Sequence, residues 1–287
     1  MKTEEIADPL FRSAVEYIDA GDSNSLTKIV SDNVYLIKER LINNEEGYFK
    51  DPFLLYFIAD NPIRNDKLPG NIVEITKWLI NEVRRQSSKN FQQQIDYTLA
   101  LVVTGRIPRE CGVQIELTDL LIDEGAKPAE PVGALAHGNK EVAAHLLKRG
   151  APLNLVTAVG LQLSKAEIIE LINDADDKQK LVAVAIAAFQ GDAKMIAFLI
   201  AEKFPVNGYP SNDLGFHYHA TALHQAVYSG SLDAVRLLIE AGADLSLKDK
   251  IYDGTPLDWA EYVLREESDD SMKKNYEEIV NYLKKEI

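Results

Sequence analysis

The clearest regularity in the order of apolar and polar residues is a helix that ends in two large apolar residues, two variable residues and then Gly-Ala. Three copies carry the full signature, at Leu121–Ala126, Leu146–Ala151 and Leu238–Ala243. Two weaker copies lie at Leu171–Ala175 and Leu199–Lys203. The apolar pair is expected to bury one face of the helix. The glycine supplies the left-handed backbone that ends it.

The spacing of these helix ends indicates a repeat. The equivalent positions 125, 150, 175, 203 and 242 are separated by 25, 25, 28 and 39 residues, a range typical of stacked supersecondary units. A second glycine lies 12 residues before three of these positions, at Gly138, Gly191 and Gly230. A short, alanine-rich apolar stretch precedes each of them. Each unit is therefore predicted to be a helix, a tight glycine turn, a longer helix and a glycine stop.

Residues 219–262 resemble the ankyrin repeat family in several consecutive motifs. These motifs are Thr221–Ala226, Gly230, Val235–Ile239, Gly242–Asp244 and Asp253–Leu257. Thr255 lies 34 residues after Thr221, which is close to the length of one ankyrin repeat. The resemblance implies that His224 bonds neighbouring backbone and that the chain serves to bind protein. The whole chain also resembles a group of bacterial ankyrin proteins.

We therefore expect an all-α fold in which residues 1–287 form a single ankyrin-type solenoid of stacked helix pairs. The prediction has about eight units, some of them degenerate or lacking the β-hairpin finger. It divides the chain into divergent N-terminal units at 1–95, short degenerate units at 96–206, the best-matching repeats at 207–267 and a C-terminal capping helix at 268–287.

Helix pairs are also predicted at both ends of the chain. In the N-terminal part they are Leu10–Ala20 with Ser23–Ile42, and Pro52–Ala59 with Asn71–Arg85. In the segment Asp269–Ile287, apolar residues at helical spacing predict the second helix of a terminal unit. Its polar outer side would cap the stack, as solenoids require.

The charge balance bears on the choice of partner. The sequence has 45 acidic and 31 basic residues, a formal net charge of −14. Such a field repels phosphate backbones, so nucleic-acid binding is not expected, and it speeds encounter with a basic partner. Solubility alone is the alternative explanation of the same charge.

Membrane insertion and secretion are not expected. No segment has the ~18 uninterrupted apolar residues that a membrane helix needs. The N-terminus lacks the apolar stretch of a secretory signal. The single cysteine, Cys111, fits a reducing compartment. These features predict a cytoplasmic protein, and we expect it to be a monomer.

Catalytic motifs are not found, so the chain is not expected to be an enzyme or to need a cofactor or metal. It has no Gly-x-Ser-x-Gly, no Walker loop and no His-Glu-x-x-His. Cys111, in the loop predicted at Thr104–Gly112, is either inert or activated by the arginines near it. The histidines His217, His219 and His224 could be drawn with Asp213 as a metal site, giving a metal-dependent hydrolase as the rival from another class. The structural role of His224 implied by the resemblance is the stronger hypothesis.

A partner surface is predicted from the positions just before the turn glycines, which are fixed by neither the core nor the turn. There, stacked units would align Phe189, Tyr228 and Tyr262 in one row. The long finger Asn207–Ala220 and the next finger, Lys248–Gly254, would extend the row. The predicted partner-binding residues are Phe189, Tyr228, Tyr262, Tyr209, His217, Tyr218, Ile251 and Tyr252. Alternatively, some of the rings pack against the adjacent finger, and the long finger folds over its own unit and buries Phe216.

Acidic residues are expected around this surface, where they would suit a basic or arginine-rich partner. They are Asp213, Asp249, Asp253 and Glu261. The leading hypothesis is a protein-interaction scaffold that uses its concave face and its fingers. A narrower alternative is an immunity or inhibitor protein for a basic toxin or nuclease, and a third is a structural element of a larger assembly.

Overall fold

The computed structural model describes residues 2–43, 47–210 and 216–287. The chain forms two compact units, Met1–Pro152 and Leu153–Ile287, here called unit 1 and unit 2. The described residues form helices joined by turns and contain no strand, which confirms the all-α prediction. None of the helices in these ranges has the length and apolar character needed to cross a membrane.

Unit 1 consists of short and medium-length helices. They are α1 (Pro9–Ala20), α2 (Ser23–Asp32), α3 (Tyr35–Lys38), α4 (Ile72–Gln86), α5 (Phe91–Thr104), α6 (Arg106–Glu110), α7 (Gln114–Asp123), α8 (Val132–Ala136) and α9 (Lys140–Lys148), with 3-10 helices at Thr3–Glu5 and Leu54–Ala59. The predicted pair Pro52–Ala59 and Asn71–Arg85 is confirmed by the 3-10 helix at Leu54–Ala59 and by α4. The loop predicted at Thr104–Gly112 is wrong in part because it contains α6.

The first predicted helix pair of unit 1 is only partly right. Helix α1 begins where the Asp8 carboxylate accepts hydrogen bonds from the first backbone N–H groups, and it ends at the left-handed Gly21. The predicted partner helix, Ser23–Ile42, is interrupted. Asn33 leaves helical geometry, and its side chain donates to the carbonyl of Ile29 at 3.0 Å. This local bond competes with helix continuation, and the chain resumes as α3.

Unit 2 is a run of four helix pairs. Its helices are α10 (Leu155–Gly160), α11 (Lys165–Ile172), α12 (Asp177–Phe189), α13 (Ala193–Ala201), α14 (Ala222–Tyr228), α15 (Leu232–Glu240), α16 (Pro256–Glu266) and α17 (Asp270–Glu286). The first helices of the pairs, α10, α12, α14 and α16, pack in that order. The second helices α13, α15 and α17 also pack in order. Each pair thus buries its apolar faces against its neighbours.

Close stacking in unit 2 depends on small side chains. All seven residues from Val182 to Ala188 of α12 are buried, and four of them are alanines. A helix buried on every side can lie close to its neighbours only where its side chains are short. The alanine-rich first helices predicted from the sequence therefore form the inner layer of the stack.

The predicted stops and turns are confirmed at most positions. Gly125, Gly150 and Gly242 end their helices with φ of 105°, 92° and 89°. The turn glycines Gly138, Gly191 and Gly230 are left-handed as well, and at position 203 a lysine adopts φ of 63°. Position 175 differs because Ala175 has no positive φ. After the end of α11, the Ala175 N–H donates a hydrogen bond to the carbonyl of Ile172.

The C-terminal helix is confirmed. Helix α17 begins at the cap Asp269, and its buried residues are Tyr276, Ile279, Val280 and Leu283, the four predicted from their spacing. It packs against α16 and α15. We retain as a proposal that it caps the stack of unit 2.

Candidate partner-binding surface

Two tyrosines stand out from unit 2 on successive first helices. Tyr228, the last residue of α14, is 54% exposed, and Tyr262 on α16 is 57% exposed. The ring of Phe189, at the end of α12, stacks on that of Tyr228 with centroids 6.1 Å apart and planes 5° apart. The helix pairs therefore bring Phe189 and Tyr228 into the predicted row, with Tyr262 on the next first helix.

Phe189 is half-buried because the long finger covers it. Its ring centroid lies 5.8 Å from that of Phe216 and 5.1 Å from that of His217. Phe216 itself is buried, as the alternative prediction held. Tyr228 is thus the more accessible member of the stacked pair, and the half-buried ring of Phe189 packs against it.

The long finger is anchored at its base. The Asn207 side chain donates to the Gly242 carbonyl and accepts from the Asp244 N–H, both at 2.8 Å. The Tyr209 hydroxyl donates to the carbonyl of Lys248 at 2.5 Å. Tyr209, predicted to contact a partner, therefore ties the two fingers together. Residues 211–215, including the predicted acidic residue Asp213, lie outside the described part of the chain.

The second finger is organised around one buried carboxylate. Asp249 is 3% exposed, and its oxygens accept from three backbone N–H groups and from the indole Nε1 of Trp259. The donors are Ile251 at 2.9 Å, Tyr252 at 2.7 Å, Gly254 at 3.0 Å and Trp259 at 2.9 Å. Burial alone would raise the pKa of Asp249, but these donors lower it to about 2.

Asp249 therefore corrects the prediction of an exposed acidic residue at the rim. Its carboxylate points into the finger, where it fixes the tip that carries Ile251, 55% exposed, and Tyr252, 75% exposed. The sequence pattern does not reveal the role of this residue or of Trp259. An aspartate shortly before an Asp-Gly turn is a signal for backbone capping, but it does not reveal the indole partner.

The histidines are structural elements of the same region. His224 is buried; its Nδ1 accepts from the N–H and hydroxyl of Thr221, and its Nε2 donates to the carbonyl of Gly254 at 3.0 Å. The implied bond to neighbouring backbone is thus confirmed. Both ring nitrogens are engaged, so His224 has none left for a metal. Among the described residues no group of three histidine, cysteine, aspartate or glutamate side chains is placed to hold a metal ion.

A continuous series of ring contacts joins the row to the second finger. Beyond Phe189, the rings of His217 and His219 are 6.0 Å apart, and those of His219 and Trp259 are also 6.0 Å apart. Trp259 then contacts His224 at 5.0 Å. We call Tyr228, Phe189, His217, His219, Trp259 and His224 the ring series. Tyr218, beside it, is exposed.

The other predicted acidic residues, and Cys111, lie at the surface. Asp253 pairs with Lys248 at 2.7 Å, and Glu261 pairs with Lys284 at 2.7 Å. Cys111 is exposed. The two arginines near Cys111 bind other groups. Arg106 forms ion pairs with Asp66 and Glu110, and Arg109 donates a hydrogen bond to the side chain of Asn139.

Comparison with protein families agrees with this architecture. Residues 134–249 match the family model of ankyrin repeats (3 copies). A comparison with curated proteins found no match. Ankyrin repeats generally mediate protein–protein interaction, and proteins built from them are typically non-enzymatic scaffolds. On the match over residues 134–249 and the helical fold, this part of the chain consists of ankyrin repeats.

Proposed function

We propose that this chain holds a partner protein on one surface of unit 2, here called the aromatic surface. It consists of the predicted residues Phe189, Tyr228, Tyr262, Tyr209, His217, Tyr218, Ile251 and Tyr252. The observation that carries the proposal is the exposure of Tyr228 and Tyr262 on successive first helices, together with the exposure of Ile251 and Tyr252 at the tip of the second finger. Large aromatic side chains are enriched at interface centres and supply much of the binding energy there.

Rigidity of the surface supports the same proposal. Tyr228 is backed by Phe189, and the Tyr228 carbonyl accepts from the Tyr276 hydroxyl at 2.8 Å. The second finger is held by the four donors on Asp249. A surface ordered before binding loses little conformational entropy when the partner arrives. We propose that the chain acts in this way as a cytoplasmic monomer, without catalysis.

Affinity capture with matched variants tests this function. The wild type, the double variant Tyr228→Ala/Tyr262→Ala and the control Ile169→Ala would be immobilised and exposed to lysate of the native organism. Ile169 is a suitable control because it is an exposed apolar residue of unit 2 on a second helix, α11. Circular dichroism would show that all three are folded.

We expect a protein that is captured by the wild type and the control and lost with the double variant. Removal of two central tyrosines typically costs more than 2 kcal/mol of binding energy, or about 30-fold in affinity. Equal capture by all three proteins would exclude the aromatic surface as the binding site.

A further inference from the structure

We propose that the partner segment held on the aromatic surface is basic, with an arginine side chain lying over Tyr262 and against the carboxylates that follow it. This inference rests on the proposed function and names the chemistry of the partner. It depends on Glu266, Glu267, Asp269 and Asp270, here called the acidic segment, and on the position of that segment beside the tyrosines.

The acidic segment adjoins both tyrosines. Glu266 lies one helical turn after Tyr262 on α16, so the two side chains share a face. On the other side, Tyr276 of α17 bonds the Tyr228 carbonyl, and a Cβ at Gly230 would lie 2.9 Å from Met272. The start of α17 therefore packs on the turn that carries Tyr228. Burial first, and then the charge of Glu267, raises the pKa of Tyr276.

An arginine of the chain itself already occupies this kind of site. The guanidinium carbon of Arg265 lies 5.3 Å from the ring centroid of Tyr262, and its Nε donates to Glu266 at 3.1 Å. All three side chains are exposed. A ring face with a carboxylate beside it is favourable for a guanidinium, which stacks and donates in its plane. A partner arginine could take the place of Arg265 at little structural cost.

The surrounding charge favours the same partner. Residues 153–287 hold 22 acidic and 13 basic residues, so unit 2 carries −9 of the net charge of −14. Within the acidic segment, Glu267 accepts from the Ser268 and Asp269 N–H groups, and Asp269 caps α17. The cations of this stretch are Arg265, Lys273 and Lys274. Backbone N–H donors leave the negative charge of these carboxylates in place, so the segment attracts cations at the end of the tyrosine row.

Peptide binding with charge-matched variants tests the proposal. The probe is a fluorescein-labelled peptide of alternating arginine and alanine, measured by anisotropy, with a glutamate–alanine peptide as the negative probe. The test variant is Glu266→Gln/Glu267→Gln/Asp270→Asn, which keeps the α17 cap. The control, Glu170→Gln/Glu202→Gln/Glu240→Gln, removes three exposed acidic residues from other parts of unit 2.

We expect the wild type to bind the arginine peptide and the test variant to lose about tenfold in affinity, as three charge contacts imply. The control is expected to lose less than about twofold, since its charges are farther away and screened by salt. Equal losses in both variants would overturn the proposal, because the peptide would then sense only the overall field. No binding by the wild type, or equal binding of the glutamate peptide, would overturn it as well.

A second comparison separates the specific site from charge alone. Arg265→Gln removes the competitor from Tyr262, and Arg236→Gln removes the equivalent arginine from over Tyr282, 5.4 Å from its ring. The two variants change net charge equally. We expect tighter binding of the arginine peptide, by about threefold, only for Arg265→Gln. Equal effects of the two variants would contradict the assigned position.

The outcome can be distinguished from failure of the proposed function. A captured partner that requires Tyr228 and Tyr262 but is indifferent to the acidic triple variant would retain the surface and exclude the basic partner. Capture of the partner that does not depend on Tyr228 and Tyr262 would exclude the aromatic surface itself.

Discussion

The indole Nε1 of Trp259 donates a hydrogen bond to the carboxylate of Asp249 at 2.9 Å, and this bond joins a finger to a helix of the next repeat. Asp249 also holds the finger tip through three backbone N–H groups. Trp259 is in ring contact with His219 and His224. The pair therefore links the finger tip that carries Tyr252 to the ring series that ends at Tyr228.

Removing the Asp249 carboxylate should weaken unit 2 as a whole. Asp249→Ala leaves four donors without their acceptor, and a buried donor without a partner costs about 1–3 kcal/mol. We expect a loss of about 2–4 kcal/mol in the free energy of unfolding from urea titration. Asp253→Asn, at an exposed position of the same finger, should leave the urea midpoint unchanged. Equal midpoints for wild type and Asp249→Ala would contradict the anchoring role.

Acid should destabilise the contact of His219 and His224 with Trp259, here called the histidine joint. Burial lowers the pKa of His219 and the pKa of His224, and His224 is the more completely buried of the two. The unfolded chain then binds more protons than the folded one below pH about 6.5, so stability falls as pH drops. The stability that comes from the neutral histidines is fully present above that pH and decreases as the pH falls toward the lowered pKa values.

The tryptophans allow this loss to be observed locally. The sequence has two tryptophans, so Trp78→Phe leaves Trp259 as the sole reporter of the joint. We expect the urea midpoint, followed by the fluorescence of Trp259, to decrease as the pH is lowered from about 7.5 to about 5.5. With His219→Gln added, the decrease should be smaller. A midpoint that is the same throughout this range would show that the joint does not titrate.

The turn at Gly230 should tolerate a side chain less well than the stop at Gly242. Both glycines are left-handed, with φ of 70° and 89°, but a Cβ at Gly230 would also lie 2.9 Å from Met272, whereas none of the described atoms lies within 4 Å of a Cβ at Gly242. Gly242→Ala should cost about 1–2 kcal/mol through backbone strain alone. Gly230→Ala should cost slightly more, because the Cε at the flexible end of Met272 must move aside. Met272→Ala should recover part of the difference. Equal costs would exclude the contact with α17.

Lys203 offers a stabilising change. It is a lysine in the left-handed conformation, with φ of 63°, at a helix stop that is glycine in other repeats. Lys203→Gly should stabilise the chain by about 0.5–1 kcal/mol because glycine adopts this conformation without strain. Lys194→Gly, inside α13, should destabilise it by about 1 kcal/mol. The thermal unfolding temperatures of the two variants should shift in opposite directions. A shift of both in the same direction would contradict the strained conformation of Lys203.

The repeat pattern predicted those features that depend on local sequence. Glycine stops, glycine turns and the burial of the first leucine of the apolar pair, as at Leu121, Leu146 and Leu238, follow from backbone conformation and helical period. The second residue of each pair is only half-buried. The register of Phe189 and Tyr228 follows from the same repeat. The burial of Asp249 could not be predicted because its indole donor lies ten residues away, across a turn whose path the periodicity does not define. The break at Asn33 was missed because a side-chain bond to the Ile29 carbonyl is one of several choices open to an asparagine.

Site-specific photocrosslinking shows whether a partner protein binds at Tyr228. A photoreactive phenylalanine analogue would replace Tyr228 in one protein and Ile169 in another, and both would be irradiated in lysate of the native organism. We expect a discrete covalent partner from position 228, competed by unlabelled wild-type chain, and none from position 169. The same product from both positions, or none from position 228, would contradict a partner site on the aromatic surface.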